Sequence, residues 1–176
     1  DLQQLLPELD IYGHGVKAMD DKAESLDDYR YHIAIENHVG LHHWTEKLSD
    51  AFLGFTLPFY YGCPNATDYF PEQSFIAIDI DDLHGSYNIL KQAIDNNEYE
   101  KRLPYIIEAR QRVLEQYNIF AVLAREIKRL HDPALAVAGP PGVILSRRAL
   151  RKRRPLVGLV DAFDKARGRI MSRYRR

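Results

Sequence analysis

The sequence predicts an α/β fold in which helices cover both faces of a parallel sheet. Short apolar runs rich in β-favouring residues alternate with helical patterns along most of the 176 residues. A strand–helix–strand–helix order is typical of parallel sheets that are buried on both faces. No apolar run approaches the ~20 residues of a membrane-spanning helix.

Four segments have the composition and the boundaries of strands. They are residues 9–13, 31–35, 57–61 and 74–78. In parallel sheets of this kind, ligands bind beyond the carboxyl ends of the strands. We therefore expect Glu36 and Asn37, which follow the second strand, to lie at the site with Tyr61 and Gly62, which end the third.

Helical patterns fill the intervals between these strands. Thr45 is a plausible N-cap for a helix over 45–55, and a second helix is predicted over 83–94. A longer helical region over 104–130 begins with Pro104, which suits a first turn, and its regular pattern is interrupted near 116–118. Its apolar residues at helical spacing are expected to be core. They are Tyr117, Phe120, Leu123 and Ile127.

Composition divides the chain into a domain, a linker and a tail. We assign residues 1–130 to the domain, 131–144 to a linker rich in Ala, Pro and Gly, and 145–176 to a basic amphipathic tail. Residues 1–144 carry 12 Lys+Arg against 23 Asp+Glu, whereas 145–176 carry 12 against 2. The single cysteine, Cys63, excludes an intrachain disulfide and favours a reducing compartment.

One stretch has the residues that a nucleotide diphosphate requires. A helix beginning at Thr45 presents unpaired N–H groups and the positive end of its dipole to a pyrophosphate. Lys47 adds a mobile positive charge for the same phosphates. Glu46 can accept hydrogen bonds from ribose hydroxyls, and Asn37 can both donate and accept. The alternative is that Glu46 and Lys47 are solvated surface charges.

Other suggestive residues favour simpler interpretations. Gly40 separates His38 from His42 and His43, so one shared helical face for a zinc ion is not expected, and we predict no metal site. The acidic run 79–82 favours a loop or a helix cap over a metal ligand set. Asn65 fits an N-glycosylation tripeptide, a pattern that is common by chance.

Residues 31–80 resemble the signature region of the family-10 fucosyltransferases. The family shows a Glu-Asn at a strand end, a Thr-Glu-Lys opening a helix, a Pro-containing strand ending in Gly, an aromatic-Pro turn, and Ser-Phe-Ile before acidic residues. Here these elements are Ile35-Glu36-Asn37, Thr45-Glu46-Lys47, residues 57–62, Phe70-Pro71, Ser74-Phe75-Ile76 and residues 79–82. The six elements occur in the family's order.

The resemblance implies the carboxyl-terminal, Rossmann-like half of a two-domain GT-B glycosyltransferase. It further implies an α1,3-fucosyltransferase that transfers L-fucose from GDP-fucose to a glycan hydroxyl with inversion. Glu46 would hold the ribose and Lys47 the phosphates, and both would stabilise the donor and the leaving group. Asn37 would help on the donor side, and Glu36 and Thr45 belong to the same signature.

The sequence departs from the family at several points. His43 stands where the family usually has Tyr, although its ring could still donate to a phosphate oxygen. The family's donor-binding Arg lies upstream of the first residues here, and the acceptor domain with the catalytic base lies outside the chain. We therefore expect weak donor binding and little turnover by these 176 residues alone, and we assign no base.

The expected partners are GDP-fucose and an oligosaccharide or lipopolysaccharide acceptor, with no cofactor. The tail 145–176 fits an interfacial helix on anionic lipid, or a helix packed on the acceptor domain, and it shows no motif for reading nucleic acid. We expect a cytoplasmic, bacterial enzyme peripheral to the inner membrane. Two alternatives stay open: a GT-B transferase with another nucleotide sugar, and a non-catalytic Rossmann-like binding module.

Overall fold

The computed structural model describes residues 2–13, 15–132, 143, 145–160 and 163. Its contacts divide the chain into two compact units, residues 1–131 and residues 132–176. Most of the predicted linker and the end of the predicted tail, residues 164–176, lie outside the described residues.

A three-stranded parallel sheet forms the centre of the first unit. Strand β1 is Tyr31–Ile35, β2 is Leu57–Tyr61 and β3 is Ile76–Ala77, and the spatial order is β1-β2-β3. Ile35 pairs with Tyr61, and the next residue donates its N–H to the Tyr61 carbonyl at 2.8 Å. The carboxyl ends of β1 and β2 therefore meet at one edge of the sheet, as the sequence predicted.

Helices cover both faces of this sheet. In chain order they are α1 (Leu2–Leu5), α2 (Glu46–Leu53), α3 (Leu83–Asp95) and α4 (Glu98–Arg112), and α5 (Ile119–Leu130) follows them. Short 3₁₀ turns occur at Lys22–Ser25, Ala66–Asp68 and Glu72–Ser74, and a π-turn at Val113–Tyr117 joins α4 to α5. The predicted α/β class is confirmed.

Strand alternation divides the buried residues into two core clusters, one on each face. Ala34 and Tyr60, which are paired across β1 and β2, pack with residues of α2 and α4. Their strand neighbours Ile33 and Phe59 pack with residues of α3 and the segment after α1. Phe59 is 1% exposed, and complete burial of such a side chain contributes about 1.5–3 kcal/mol.

Side-chain caps fix where the helices begin. The Thr45 hydroxyl accepts from the Lys47 N–H at α2, and the Asp82 carboxylate accepts from the Gly85 N–H at α3. The Asn118 side chain accepts from two N–H groups at the start of α5. These contacts confirm Thr45 as an N-cap and the acidic run 79–82 as a cap, and they explain the interruption near 116–118.

One predicted strand does not form, and two predicted element boundaries were wrong. Residues 9–13 form no strand, because the chain turns back at Gly13 (φ 140°) and only an isolated bridge joins Tyr12 to Lys17. Strand β3 is shorter than 74–78, because Ser74 closes a 3₁₀ turn. Helix α4 begins at Glu98, so Pro104 lies inside it.

Helix α5 is amphipathic, but its apolar face is not part of the core. Phe120 is 79% exposed, Leu123 50% and Ile127 66%, so the prediction that these residues are core was wrong. Tyr117, which precedes the helix, does pack against the cluster on the α2 face. A periodic apolar stripe indicates a helix, but it does not determine what covers that helix.

The second unit contains α6 (Arg147–Arg153), followed by helical residues 155–160. Arg151, Lys152 and Arg153 occupy the last turn of α6, where cations complement the helix dipole. Leu156 is 75% exposed and Leu159 67% exposed. Among the described residues, no helix combines the length and apolarity needed to cross a bilayer.

His32 on β1 links stability to pH. Burial, followed by the charge of Lys22, lowers the pKa of its imidazole below the ordinary 6.5. As the pH falls through 6.5, the unfolded chain takes up a proton that the folded protein resists, so the free energy of unfolding decreases until the pH passes below the folded-state pKa. We expect urea denaturation between pH 7.5 and 5.5 to show a shallower pH slope in His32→Gln, by up to ~1.4 kcal/mol per pH unit. The exposed His84→Gln serves as control, and equal slopes in wild type and His32→Gln would contradict the assignment.

Candidate functional site

A buried carboxylate connects the end of β1 to the start of α2. Glu36 is 3% exposed and accepts the Thr45 N–H at 2.8 Å and the Thr45 hydroxyl at 2.6 Å. The Thr45 hydroxyl in turn accepts the Lys47 N–H at 3.4 Å. A carboxylate tolerates burial when hydrogen bonds satisfy it, and the positive end of the α2 dipole stabilises it further.

These contacts give Glu36 a supporting position in the site. Thr45 donates to both carboxylate oxygens, so Glu36 orients the start of the helix from its buried side. The Thr45 side chain, also predicted as a donor contact, is occupied as the N-cap of α2. Direct contact of Glu36 or Thr45 with a nucleotide-sugar donor stays a prediction.

Glu46 and Lys47 form a charged pair at the start of α2. Their side chains form an ion pair at 2.9 Å, with the Glu46 side chain 63% exposed and the Lys47 side chain 29% exposed. The hydrogen bond between them lowers the pKa of the Glu46 carboxyl and raises that of the Lys47 ammonium. Both therefore stay charged near neutrality, available to a hydroxyl donor and an anion respectively.

The remaining predicted site residues lie in the loop between β1 and α2. Asn37 directly follows Glu36 and is exposed, and His43, two residues before Thr45, is exposed as well. The His43 ring contacts the His38 ring edge to face, with centroids 5.3 Å apart. The structure thus connects Glu36, Thr45 and Lys47 by hydrogen bonds and places Asn37 and His43 in the same connecting segment.

Sequence reasoning missed the role of Tyr60 and the reason for Gly62. The Tyr60 hydroxyl accepts the Cys63 N–H at 2.9 Å and lies 3.5 Å from Glu36 Oε1. Burial raises the pKa of this hydroxyl, which stays protonated. A Cβ on Gly62 would lie within 3.0 Å of Glu36 and of Tyr60 Oη. The turn after β2 therefore packs directly on the buried carboxylate, a close approach that only glycine permits.

A cavity of about 750 Å³ adjoins this turn. It lies at the ends of β2 and β3, and its lining includes Tyr61, Gly62, Glu72, Gln73 and Arg102. Neither Glu46 nor Lys47 is among its lining residues. The cavity and the start of α2 are thus separate features, and the turn at Gly62, which lines the cavity, packs against Glu36.

The histidines and acidic residues do not form a metal centre within the described part of the chain. No group of three or more His, Cys, Asp or Glu side chains there is arranged to hold an ion. The His42 ring nitrogen Nδ1 lies 2.7 Å from the Tyr69 hydroxyl, and Asp82 is used as a helix cap.

The fold and these contacts define an α/β protein in which a helix begins beside the carboxyl edge of a parallel sheet, an arrangement of the kind that can receive an anion. The model of glycosyltransferase family 10 (fucosyltransferase), C-terminal part, matches residues 1–102, which is more than half of the chain. The chain therefore belongs to glycosyltransferase family 10. All of the predicted site residues lie within the matched range.

Individual relatives are similar over shorter stretches. The chain is 35% identical over 66 residues to the alpha-(1,3)-fucosyltransferase FucT of Helicobacter pylori, a match that spans 38% of this chain and 13% of that protein. A crystal structure of an alpha1,3-fucosyltransferase with GDP-fucose is 28% identical, with a TM-score of 0.45, over 52% of this chain and 27% of that one. A structure with GDP is 29% identical, with a TM-score of 0.44, over 48% and 26%. The family assignment rests on the family model.

Gly62 gives a direct test of the packing behind the site. Since a Cβ at this position would overlap Glu36 and Tyr60, we expect Gly62→Ala to lower the free energy of unfolding by about 1–3 kcal/mol. Gly158→Ala in the second unit serves as the comparison, because its Cβ would meet nothing closer than 3.6 Å and Ala favours a helix, so this change should not lower the free energy of unfolding. Chemical denaturation followed by circular dichroism measures both variants, and a wild-type midpoint for Gly62→Ala would disprove the close approach.

Proposed function

We propose that this chain is the donor-binding part of an α1,3-fucosyltransferase and that it holds GDP-fucose at the start of α2. The observation that carries the proposal is the helix start itself, which Glu36 fixes from the buried side while Lys47 stays accessible on the outer side. Membership of glycosyltransferase family 10 supports the choice of donor. The likeness to an alpha1,3-fucosyltransferase of Helicobacter pylori supports the linkage.

Each residue has a defined role in the proposed reaction. The Glu46 carboxylate accepts hydrogen bonds from the ribose hydroxyls, and Lys47 with the first N–H groups of α2 binds the diphosphate. Asn37 and His43 contribute donors from the connecting loop. The acceptor hydroxyl passes its proton to a general base that we do not assign among these residues, and its oxygen attacks the anomeric carbon of fucose and displaces GDP with inversion. Lys47 and the helix dipole stabilise the negative charge that develops on the departing phosphate.

The catalytic base and the acceptor-binding residues are not assigned to this chain. We assign no general base among the 176 residues and propose that, on its own, the chain binds the donor weakly and transfers little sugar. In this proposal the donor domain is the carboxyl-terminal half of a GT-B enzyme, and the acceptor is an oligosaccharide or lipopolysaccharide. No cofactor or metal takes part.

Calorimetric titration with GDP, GDP-fucose and UDP tests the donor site. We expect GDP and GDP-fucose to bind and UDP to bind much more weakly. In Lys47→Ala the loss of a charge-assisted phosphate contact of about 1.5–3 kcal/mol should weaken GDP binding on the order of 10–100-fold.

Lys91→Ala is the matched control, because Lys91 also pairs with a neighbouring carboxylate, at 2.7 Å, but on α3. Equal affinity for UDP and GDP would favour another nucleotide sugar as donor. Absence of binding to every nucleotide would favour a non-catalytic module.

We also propose that the second unit contacts anionic lipid. The last turn of α6 carries three cations, and the apolar side chains of Leu156, Leu159 and Val160 are all at least 60% exposed. Exposed apolar residues beside a basic segment are typical of helices that lie in a membrane interface. Contact through residues 145–176 would place the enzyme at the membrane periphery.

Vesicle sedimentation tests this contact with the full chain. Wild type should co-sediment with vesicles containing phosphatidylglycerol and remain free with pure phosphatidylcholine. Leu159→Glu should reduce the bound fraction on the order of tenfold, because it removes one buried leucine from the contact. Val16→Glu, at a position 67% exposed in the first unit, should bind like wild type. Equal binding by Leu159→Glu would rule out the proposed face.

A further inference from the structure

His42 adopts an unusual backbone conformation in the loop between β1 and α2. Its φ of 60° lies in the left-handed region, which residues other than glycine rarely occupy. The loop joins Asn37 to Thr45, so its path decides how the polar end of β1 is placed against the start of α2. A strained residue persists only where surrounding contacts hold it.

Three hydrogen bonds hold His42. Its N–H donates to Asn65 Oδ1 at 2.8 Å, and its ring nitrogen Nδ1 lies 2.9 Å from Asn65 Nδ2 and 2.7 Å from the Tyr69 hydroxyl. We call these three residues the His42 clamp. Asn65 and Tyr69 belong to the turn after β2, so the clamp joins the two loops that border the proposed donor site.

The neighbours of Asn65 fix the orientation of its side-chain amide. Asn65 Oδ1 also accepts from the Cys63 thiol at 3.2 Å, and Asn65 Nδ2 also donates to Asp68 Oδ2 at 2.6 Å. With the amide oriented in this way, its nitrogen is the donor to His42 Nδ1, and Nδ1 is the acceptor in that hydrogen bond.

Aromatic packing continues the clamp towards α2. The Tyr69 ring contacts the His42 ring at 6.0 Å between centroids and the Trp44 ring at 5.7 Å, in both cases edge to face. Trp44 also packs edge to face on the buried Phe70, at 5.0 Å. Trp44 directly precedes Thr45, so the contacts of Tyr69 reach the residue next to the helix cap.

We propose that His42 is a positioning residue for the nucleotide site and acts through Asn65 and Tyr69. The clamp holds the loop in the path that aligns Asn37 with the start of α2, so that the first N–H groups and Lys47 receive a diphosphate without rearrangement. Binding that requires no ordering of a loop is tighter than binding that does. The ligand named here rests on the proposed function, but the clamp itself does not.

The test compares nucleotide affinity with the state of the His42 ring. In wild type, ring ¹⁵N chemical shifts should show His42 Nδ1 as a hydrogen-bond acceptor, and Asn65→Ala should change the Nδ1 shift. GDP affinity should fall about three- to tenfold in Asn65→Ala. His42→Gly keeps the left-handed backbone and lacks the ring, so it should fall by a similar factor. The exposed Asn88→Ala on α3 should match wild type.

A double variant separates positioning from independent contacts. If His42 and Asn65 act through each other, His42→Gly/Asn65→Ala should bind GDP no more weakly than the weaker single variant. Multiplied losses in the double variant, or wild-type affinity in both single variants, would overturn the proposal.

Amide hydrogen exchange makes the test independent of nucleotide binding. The Thr45 N–H, which Glu36 accepts, should exchange about tenfold faster in Asn65→Ala than in wild type if the clamp orders the loop. An unchanged rate would overturn the positioning role. Failure of wild type to bind GDP would count against the proposed function and leave this exchange result to decide on the clamp.

Discussion

The hydrogen bonds between the buried Glu36 carboxylate and Thr45 are the interaction on which the rest of the site depends. They join the residue that follows β1 to the N-cap of α2, at 2.6 and 2.8 Å, and they satisfy both oxygens of the carboxylate. A buried carboxylate without these donors would be strongly unfavourable. Because the carboxylate needs two donors and the helix start needs an acceptor, each stabilises the other in one geometry.

Three further features follow from this arrangement. Gly62 is required because the turn after β2 passes against Glu36, and the Tyr60 hydroxyl completes the contact from the same strand. The hydrogen bond to Glu46 raises the pKa of the Lys47 ammonium, and the negative charge of Glu36 raises it further. Glu36 therefore contributes to the site from a buried position. Its charge favours the protonated form of Lys47, and its hydrogen bonds to Thr45 hold the start of α2 in place.

The site is thus built from local pieces and held together by contacts between distant ones. The strand ends, the helix start and the exposed Glu46-Lys47 pair are each encoded within a few residues. The partners that orient them are far along the chain: Asn65 is 23 residues from His42, and Tyr60 is 24 residues from Glu36. The sequence pattern around Asn65 indicated only a glycosylation tripeptide that is common by chance. The residues next to Asn65 carry no signal for its hydrogen bond to the distant His42.

The sequence by itself determined the class of fold, the limits of β1 and β2, the Thr45 cap and the carboxyl edge at which we propose the site. These features depend on side-chain period, strand composition and capping, which act over a few residues. Only the tertiary structure decided that residues 9–13 turn back, that the apolar face of α5 lies outside the core, and that Glu36 supports the site from behind. Burial and hydrogen-bond partnership are properties of which segments meet in space, and no periodicity within one segment contains that information.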